Sequence, residues 1–301
     1  PLIAERIGDA EIVVINKTPV SRETMDKCEN IKLIAVLATG YNVVDYAYAK
    51  EKGIPVVNVP TYGTQIVGQY ALGLLLEICS HYGHHDECVK EGKWENNPDW
   101  CFWDYPMIEL YGKTAGIIGL GRIGRDTASL CTGIGMKVAG YDPFLTKEQI
   151  EGMGYEYYAN YEDLLKDCDV ISIHVPLTKE TENMVSAKQL KEMKNTAIII
   201  NCSRGGIINE ADLIEALDSG EIAGAGLDVF VGEEIHPGNP LLDAKNLIFS
   251  PHSAAQTREA VINMATMCVE GCKAVCAGKK WKLVANPDVY KHEKWKDAEW
   301  A

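Results

Sequence analysis

The sequence predicts an α/β fold of two Rossmann-like, doubly wound domains with parallel sheets, and three observations carry that prediction. The stretch from Thr114 to Asp142 reads as strand, glycine-rich turn, helix and strand. Apolar runs alternate with amphipathic segments before and after it, the pattern of successive βα units. A final helical segment, Ala254 to Gly278, is placed to carry the chain back to its first unit. The expected organisation is therefore a discontinuous domain, residues 1–62 with 255–301, around a nucleotide-binding domain, residues 63–254.

In chain order, Ile12 to Ile15, Leu33 to Leu37 and Val56 to Val59 read as strands, with helices over Arg22 to Cys28 and Val43 to Lys52. Gly53-Ile54-Pro55 punctuates the entry to the third strand. The loop Ala38-Thr39-Gly40-Tyr41-Asn42, between a strand and a helix, has a glycine and free N–H groups of the kind that cradle a small anion, although taken alone it reads first as a plain connecting loop. Thr64 to Ser80 reads as a long apolar helix with too little polar surface to stand alone, so burial between domains or in a dimer is expected. Residues 81–110 read as an irregular aromatic arm containing Trp94, Trp100, Phe102, Trp103 and Tyr105. His81, His84 and His85 have helical spacing but no accompanying carboxylate at a ligand spacing, so they read as a solvated or capping cluster, and no metal site is expected.

Within the central motif, Gly119 allows a tight turn, Gly121 lets the backbone approach a pyrophosphate, and Gly124 lets the helix pack close to the strand, with Arg122 and Ile123 between them. Phosphates would sit on the free N–H groups at the helix start. Asp142, 18 positions after Gly124, is placed to accept hydrogen bonds from the adenosine ribose and to repel the additional phosphate of NADP, so NAD(H) is favoured over NADP(H). The one cation close behind it is Lys147.

Further strands are expected at Asp169 to His174, Thr196 to Asn201 and Ile222 to Val229, with helices at Ser186 to Met193 and Asn209 to Ser219. Ligands in such folds bind beyond the carboxyl ends of the strands. His174, Val175 and Pro176, then Cys202, Ser203 and Arg204, then Asp228, lie there. Arg204, on a glycine-bounded loop, suits a bidentate carboxylate clamp. His252 is a side chain that exchanges a proton near neutral pH, and Glu233 is a possible partner that would raise its pKa. Taken singly, each also has a plain structural reading: a surface ion pair, a capping or core histidine, and a loop acid.

Composition narrows the class. A chain of 301 residues with 47% hydrophobic content can bury substantial cores, and its formal charge of −14 argues against a nucleic-acid partner. Ten cysteines without a CxxC pair point to reduced thiols in a cytoplasmic protein, and Cys268, Cys272 and Cys276 read as packing on one helical face. The longest apolar run, Ala71 to Leu76, is too short for a bilayer, so no membrane association is expected, and no signal peptide is visible. The charged tail from Lys291 to Ala301 reads as a solvated surface segment. The chain begins at Pro1 in a helix-like segment without methionine, so the natural N-terminus is expected upstream.

Gly119 to Gly124, His174-Val175-Pro176-Leu177-Thr178, Asn201-Cys202-Ser203-Arg204-Gly205-Gly206, Leu227-Asp228-Val229-Phe230 with Glu233, and Pro251-His252 together resemble the D-isomer-specific 2-hydroxyacid dehydrogenases over essentially the whole chain. The resemblance implies an NAD-dependent oxidoreductase with its active site in the cleft between the domains. It implies Arg204 as substrate clamp and carbonyl polariser, His252 as acid/base and Glu233 as its partner. It further implies that Asp228 contacts the nicotinamide carboxamide, that Thr39, Gly40 and Tyr41 offer backbone N–H groups to a small 2-hydroxy or 2-keto acid, and that the long helix and arm help form a homodimer. A strand before Pro1 is implied as well.

Ala38 to Asp45, Tyr62 to Gln65 and the Trp94 to Trp103 arm look most like the glycerate dehydrogenase (hydroxypyruvate reductase) branch. Gly68-Gln69 departs from the alanine-glutamate of many members. Alternatives within the family are dehydrogenases of lactate, a branched acid or phosphoglycerate, and outside enzymes an NAD-sensing co-repressor.

Overall fold

The computed structural model describes residues 2–301. The chain divides into two compact units, Pro1–Gly63 with Ala255–Ala301, and Thr64–Ala254.

In the smaller unit, helix α1 (Leu2–Ile7) precedes strand β1 (Ile12–Ile15), α2 (Arg22–Lys27), β2 (Leu33–Val36), α3 (Tyr46–Glu51) and β3 (Val56–Val57). The strands form a parallel sheet in the order β1-β2-β3. Successive residues of a strand face opposite sides, so Ile34 and Val36 join one core with Val13, Ile15 and Met25, while Leu33 and Ala35 join another with Val57 and Val59. Helix α3 starts three residues later than the apolar pattern suggests. Val43 and Val44 pair with Val20, and the Asp45 side chain caps the helix by accepting from the Tyr48 N–H at 3.0 Å.

The larger unit contains α4 (Thr64–Ser80), α5 (Tyr82–Lys90), β4 (Thr114–Ile118), α6 (Arg122–Gly133), β5 (Lys137–Tyr141), α7 (Lys147–Glu151), β6 (Glu156–Tyr157), α8 (Tyr161–Asp167), β7 (Val170–Ile173), α9 (Ala187–Glu192), β8 (Ile198–Asn201), α10 (Glu210–Ser219), β9 (Gly224–Leu227) and β10 (Leu247–Phe249). Its parallel sheet runs in the order β10-β9-β8-β7-β4-β5-β6. The strand order reverses beside β4, and the carboxyl edge there is where such sheets bind ligands. β7, β8 and β9 are buried throughout, as expected of strands covered on both faces.

Helix α4 has a sheet of its own unit to pack on. Its apolar side, including Ala71, Leu74, Leu75 and Ile78, packs on its own unit's sheet with Ala115, Ile117, Ile198 and Ile200, so the helix finds its core within the unit. Gly68 is buried and Gln69 is exposed. The arm is also less irregular than expected, because Tyr82–Lys90 forms α5.

Helix α11 (Arg258–Cys276) completes the smaller unit, covering β2 with Cys268 and Val275. Along it Cys268 is buried, Cys272 half-buried and Cys276 exposed. The charged tail is docked, not freely solvated. Trp295 is buried against Tyr290 and donates its indole N–H to the Gly53 carbonyl at 2.9 Å, an apolar anchor that outweighs the charges around it. Among the described residues no helix is long and apolar enough to cross a membrane.

Candidate active site

The glycine turn between β4 and α6 is shaped by close contacts. Gly119 has φ +94°, and a Cβ there would lie 2.9 Å from the His174 carbonyl. A Cβ at Gly124 would lie 1.9 Å from the Gly119 oxygen, so no larger residue fits without opening the turn. At Gly121 a Cβ would meet nothing within 4 Å, which leaves room over the start of α6 for a phosphate group. Arg122 is exposed and Ile123 half-buried at that helix start.

Asp142, at the end of β5, ties this turn to the next. Its Oδ2 accepts the Leu120 N–H and its Oδ1 the Phe144 N–H, each at 2.9 Å. A carboxylate has about four acceptor positions, so capacity remains for ribose hydroxyls. Lys147 is engaged with Glu151 at 3.7 Å along α7.

Beyond β7, the His174 N–H donates to the Ile118 carbonyl at 2.8 Å, and its ring Nε2 lies 2.8 Å from the Ser172 hydroxyl. Burial keeps this imidazole neutral, with its pKa pushed down to about 4. Val175 is buried and Pro176 exposed.

The loop after β8 is built on Asn201, which is buried and accepts from the Ser203 N–H and hydroxyl while donating to the Arg204 carbonyl. A Cβ on Gly205 would lie 2.0 Å from the Phe230 oxygen, so this loop rests directly against the one after β9. The Arg204 guanidinium donates to the Ser203 carbonyl at 2.7 Å and, among the described residues, pairs with no carboxylate. Burial, with Asp228 nearby, pushes the Cys202 thiol pKa up, so it is a packing group and not a nucleophile.

Asp228, at the end of β9, is 1% exposed and organises the histidine loop. Its carboxylate accepts the Ser250 hydroxyl at 2.5 Å, the Ser253 N–H at 2.9 Å and the Ala254 N–H at 3.0 Å. The His252 N–H donates to the Asp228 and Ser250 carbonyls, each at 3.0 Å. His252 and Glu233 both hold left-handed backbone, φ 51° and 71°, an uncommon state for residues with side chains that the surrounding hydrogen bonds enforce. Their side chains meet through His252 Nδ1 and Glu233 Oε2, which leaves Nε2 as the free ring nitrogen. That arrangement fixes the ring's orientation and leaves Nε2 open to a hydrogen-bonding ligand.

In the smaller unit, the Thr39 hydroxyl donates to the Val59 carbonyl at 3.1 Å and the Thr39 carbonyl accepts from Asn58 at 2.9 Å, pinning the loop to the segment just after β3. Among the described residues, the N–H groups of Thr39, Gly40 and Tyr41 reach no protein acceptor.

Comparison with known proteins accounts for this arrangement. A family model described as "D-isomer specific 2-hydroxyacid dehydrogenase, NAD binding domain" matches residues 72–254, more than half the chain. The chain belongs to the D-isomer-specific 2-hydroxyacid dehydrogenase family. Like other members, this 2-hydroxyacid dehydrogenase is an oxidoreductase acting on a CH–OH group, with an NAD(H)-binding domain in its larger unit. It is 51% identical over 286 residues to a hydroxypyruvate reductase of Blautia hydrogenotrophica, covering 94% of this chain and 87% of that protein. It is 40% identical over 284 residues to a glycerate dehydrogenase of Methylorubrum extorquens, covering 94% and 88%. Its fold superposes with a TM-score of 0.79 on a D-lactate dehydrogenase of Aquifex aeolicus complexed with NAD and lactic acid, at 29% identity, covering 91% of this chain and 85% of that one.

Two contributors to this cluster around His252 have no sequence motif. The Tyr70 hydroxyl on α4 lies 2.9 Å from the Ser253 hydroxyl, next to His252. Ser250, which clamps Asp228, is visible only once β9 and β10 are adjacent. The structure also corrects the histidine cluster of the arm, because folding returns the carboxylate of Asp104 to His84, 20 positions away, at 2.7 Å.

Proposed function

We propose that this dehydrogenase interconverts hydroxypyruvate and D-glycerate, with NAD(H) preferred over NADP(H). The observation that carries the chemistry is the His252–Glu233 pair joined through Nδ1, beside a strand-end loop whose Arg204 pairs with no carboxylate among the described residues. The substrate assignment rests on the hydroxypyruvate reductase and glycerate dehydrogenase relatives.

The turn Gly119 to Gly124 and the acceptor Asp142 fit a dinucleotide, through the open space over Gly121 and the spare capacity of the carboxylate. When bound, NADH supplies the hydride that reduces the C2 carbonyl carbon. Arg204 holds the substrate carboxylate and draws electron density from the carbonyl oxygen. In the smaller unit, the N–H groups of Thr39, Gly40 and Tyr41, which reach no protein acceptor among the described residues, are donors of the kind that hold a small anion. His252 gives its Nε2 proton to the oxygen as the alcohol forms, and Glu233 holds the ring and stabilises its charged form. His174, Val175, Pro176, Cys202 and Ser203 line the cofactor face, and Asp228 has one acceptor position left for the carboxamide. NAD over NADP is supported by Asp142 and by the engagement of Lys147 with Glu151.

A homodimer built through the arm is supported by exposed apolar surface, with Trp94 at 53%, Trp103 at 64% and Trp100 at 86% exposure. A groove of about 480 Å³ beside the arm, lined by Ile78, Ile108, Leu217, Ile222, Leu247 and Ile248, adds to that surface. Unpaired thiols at all ten cysteines support a cytoplasmic location.

The test is NADH oxidation with hydroxypyruvate, glyoxylate, pyruvate and a branched 2-keto acid. The highest kcat/KM is expected with hydroxypyruvate, loss of both substrate binding and turnover in Arg204→Ala, and loss mainly of turnover in His252→Ala. Preference for another acid overturns the substrate. Near-wild-type reduction by both variants overturns the catalytic assignment.

A further inference from the structure

The arm carries a cluster that the dehydrogenase chemistry does not use. His84 and Cys88 are four residues apart on α5, so their side chains share one face. The loop after α5 returns Asp104 to that face. His84 Nε2 lies 3.4 Å from Cys88 Sγ and 2.7 Å from Asp104 Oδ2, and Sγ lies 3.7 Å from the same oxygen. Asp104 is positioned from behind, since its N–H donates to His85 Nε2 at 3.3 Å and His85 Nδ1 is tied to the His81 carbonyl at 2.8 Å.

We propose that His84, Cys88 and Asp104 bind a divalent transition-metal cation of the zinc class. For tetrahedral zinc, ordinary metal–ligand distances place the nitrogen, sulfur and oxygen donors about 3.4 to 3.6 Å apart. Two of the three observed spacings are already within about 0.2 Å of that range. The third is the His84–Asp104 hydrogen bond, and it opens as the ion inserts between the two groups. The donor set of thiolate, imidazole and carboxylate excludes magnesium and calcium, which take all-oxygen shells, and selects a borderline-soft ion. Three protein donors leave a fourth position for water.

A cation already answers Asp104 in the metal-free protein. Lys93 Nζ lies 2.5 Å from both carboxylate oxygens. Lys93 is flexible and its side chain 44% exposed, so it swings aside when the metal takes one oxygen. Binding also releases the Cys88 thiol proton to solvent, so charge balances as thiolate against metal.

Chelator-treated full-length protein titrated with Co2+ is expected to show one equivalent with a thiolate-to-cobalt charge-transfer band and tetrahedral d–d bands, both removed by Zn2+. Cys88→Ser is expected to abolish the charge-transfer band, and Asp104→Asn to weaken binding at least about tenfold. Lys93→Met, which removes the competing ammonium, is expected to tighten it. NADH turnover in Asp104→Asn reports that the variant is folded. No stoichiometric binding by the parent protein, or the same band in Cys88→Ser, overturns the site and leaves a metal-free His84–Asp104–Lys93 network that only braces the arm.

Discussion

Replacing Asp228 by asparagine isolates what holds His252 and its loop in place. The carboxylate is 1% exposed and accepts from the Ser250 hydroxyl, the Ser253 N–H and the Ala254 N–H. Asparagine has nearly the same shape but one acceptor oxygen. Keeping that oxygen on Ser250 and Ser253 turns the new NH2 group towards the Ala254 N–H, donor against donor, at the 3.0 Å now spanned by a hydrogen bond. Leaving that amide unsatisfied costs about 1 to 3 kcal/mol, and the two remaining bonds lose their ionic character, for roughly 2 to 4 kcal/mol in all. For a unit of this size that lowers Tm by roughly 5 to 10 °C. The His252 N–H is bonded to the Asp228 and Ser250 carbonyls, so the loop cannot relax without moving the imidazole, and kcat is expected to fall about 10- to 100-fold. Thermal unfolding and steady-state NADH oxidation measure both effects, and Ser250→Ala, which removes only one of the bonds, is expected to show a smaller loss in each. An Asp228→Asn protein within about 2 °C of the parent Tm and twofold in kcat would refute the reasoning, since one acceptor would then suffice for the loop.

Gly124→Ala places a methyl group where the Gly119 oxygen stands 1.9 Å away, so NADH affinity is expected to collapse, and a fluorescence titration showing parent-like affinity would contradict the turn geometry. Asp142→Ala removes both the acceptor for the Leu120 N–H and the charge that repels a 2′-phosphate. KM for NADH is expected to rise about tenfold or more and the NADPH:NADH preference to move towards NADPH, whereas an unchanged ratio would count against Asp142 as discriminator. His174 titrates at about 4 when folded, against about 6.5 unfolded. The unfolded chain therefore binds the extra proton more readily between those values. The associated stability is complete above about pH 6.5 and declines as pH falls towards 4, by at most about 1.4 kcal/mol per pH unit. Urea unfolding at pH 7 and pH 5 is expected to show a smaller loss in His174→Asn than in the parent, and an equal loss in both would refute the assignment.

Local sequence carries the alternation of strands and helices, the glycine turn with its acidic strand end, and the family. Those features are local: strand burial and helix periodicity are written in neighbouring residues, and Gly119 to Gly124 meet one another within a single turn. Short elements were harder to read. β6 is two residues long and β10 three, too short for a periodic pattern, and α7 and α8 are marked chiefly by caps, Thr146 with Gln149 and Asn160. Tertiary structure decided what depends on distant partners. Pairing of β9 with β10 brings Ser250 onto Asp228, and the backbone there turns His252 towards Glu233, 19 positions earlier. Packing of α4 on its own sheet supplies a partner that helical periodicity alone does not specify. Return of the arm places Asp104 on His84 and Cys88, and Trp295 pins a tail whose charge suggested solvent. Hydrogen bonds and apolar contacts act over a few ångströms in space, so spacing along the chain carries them only where the two partners share one helix or one turn.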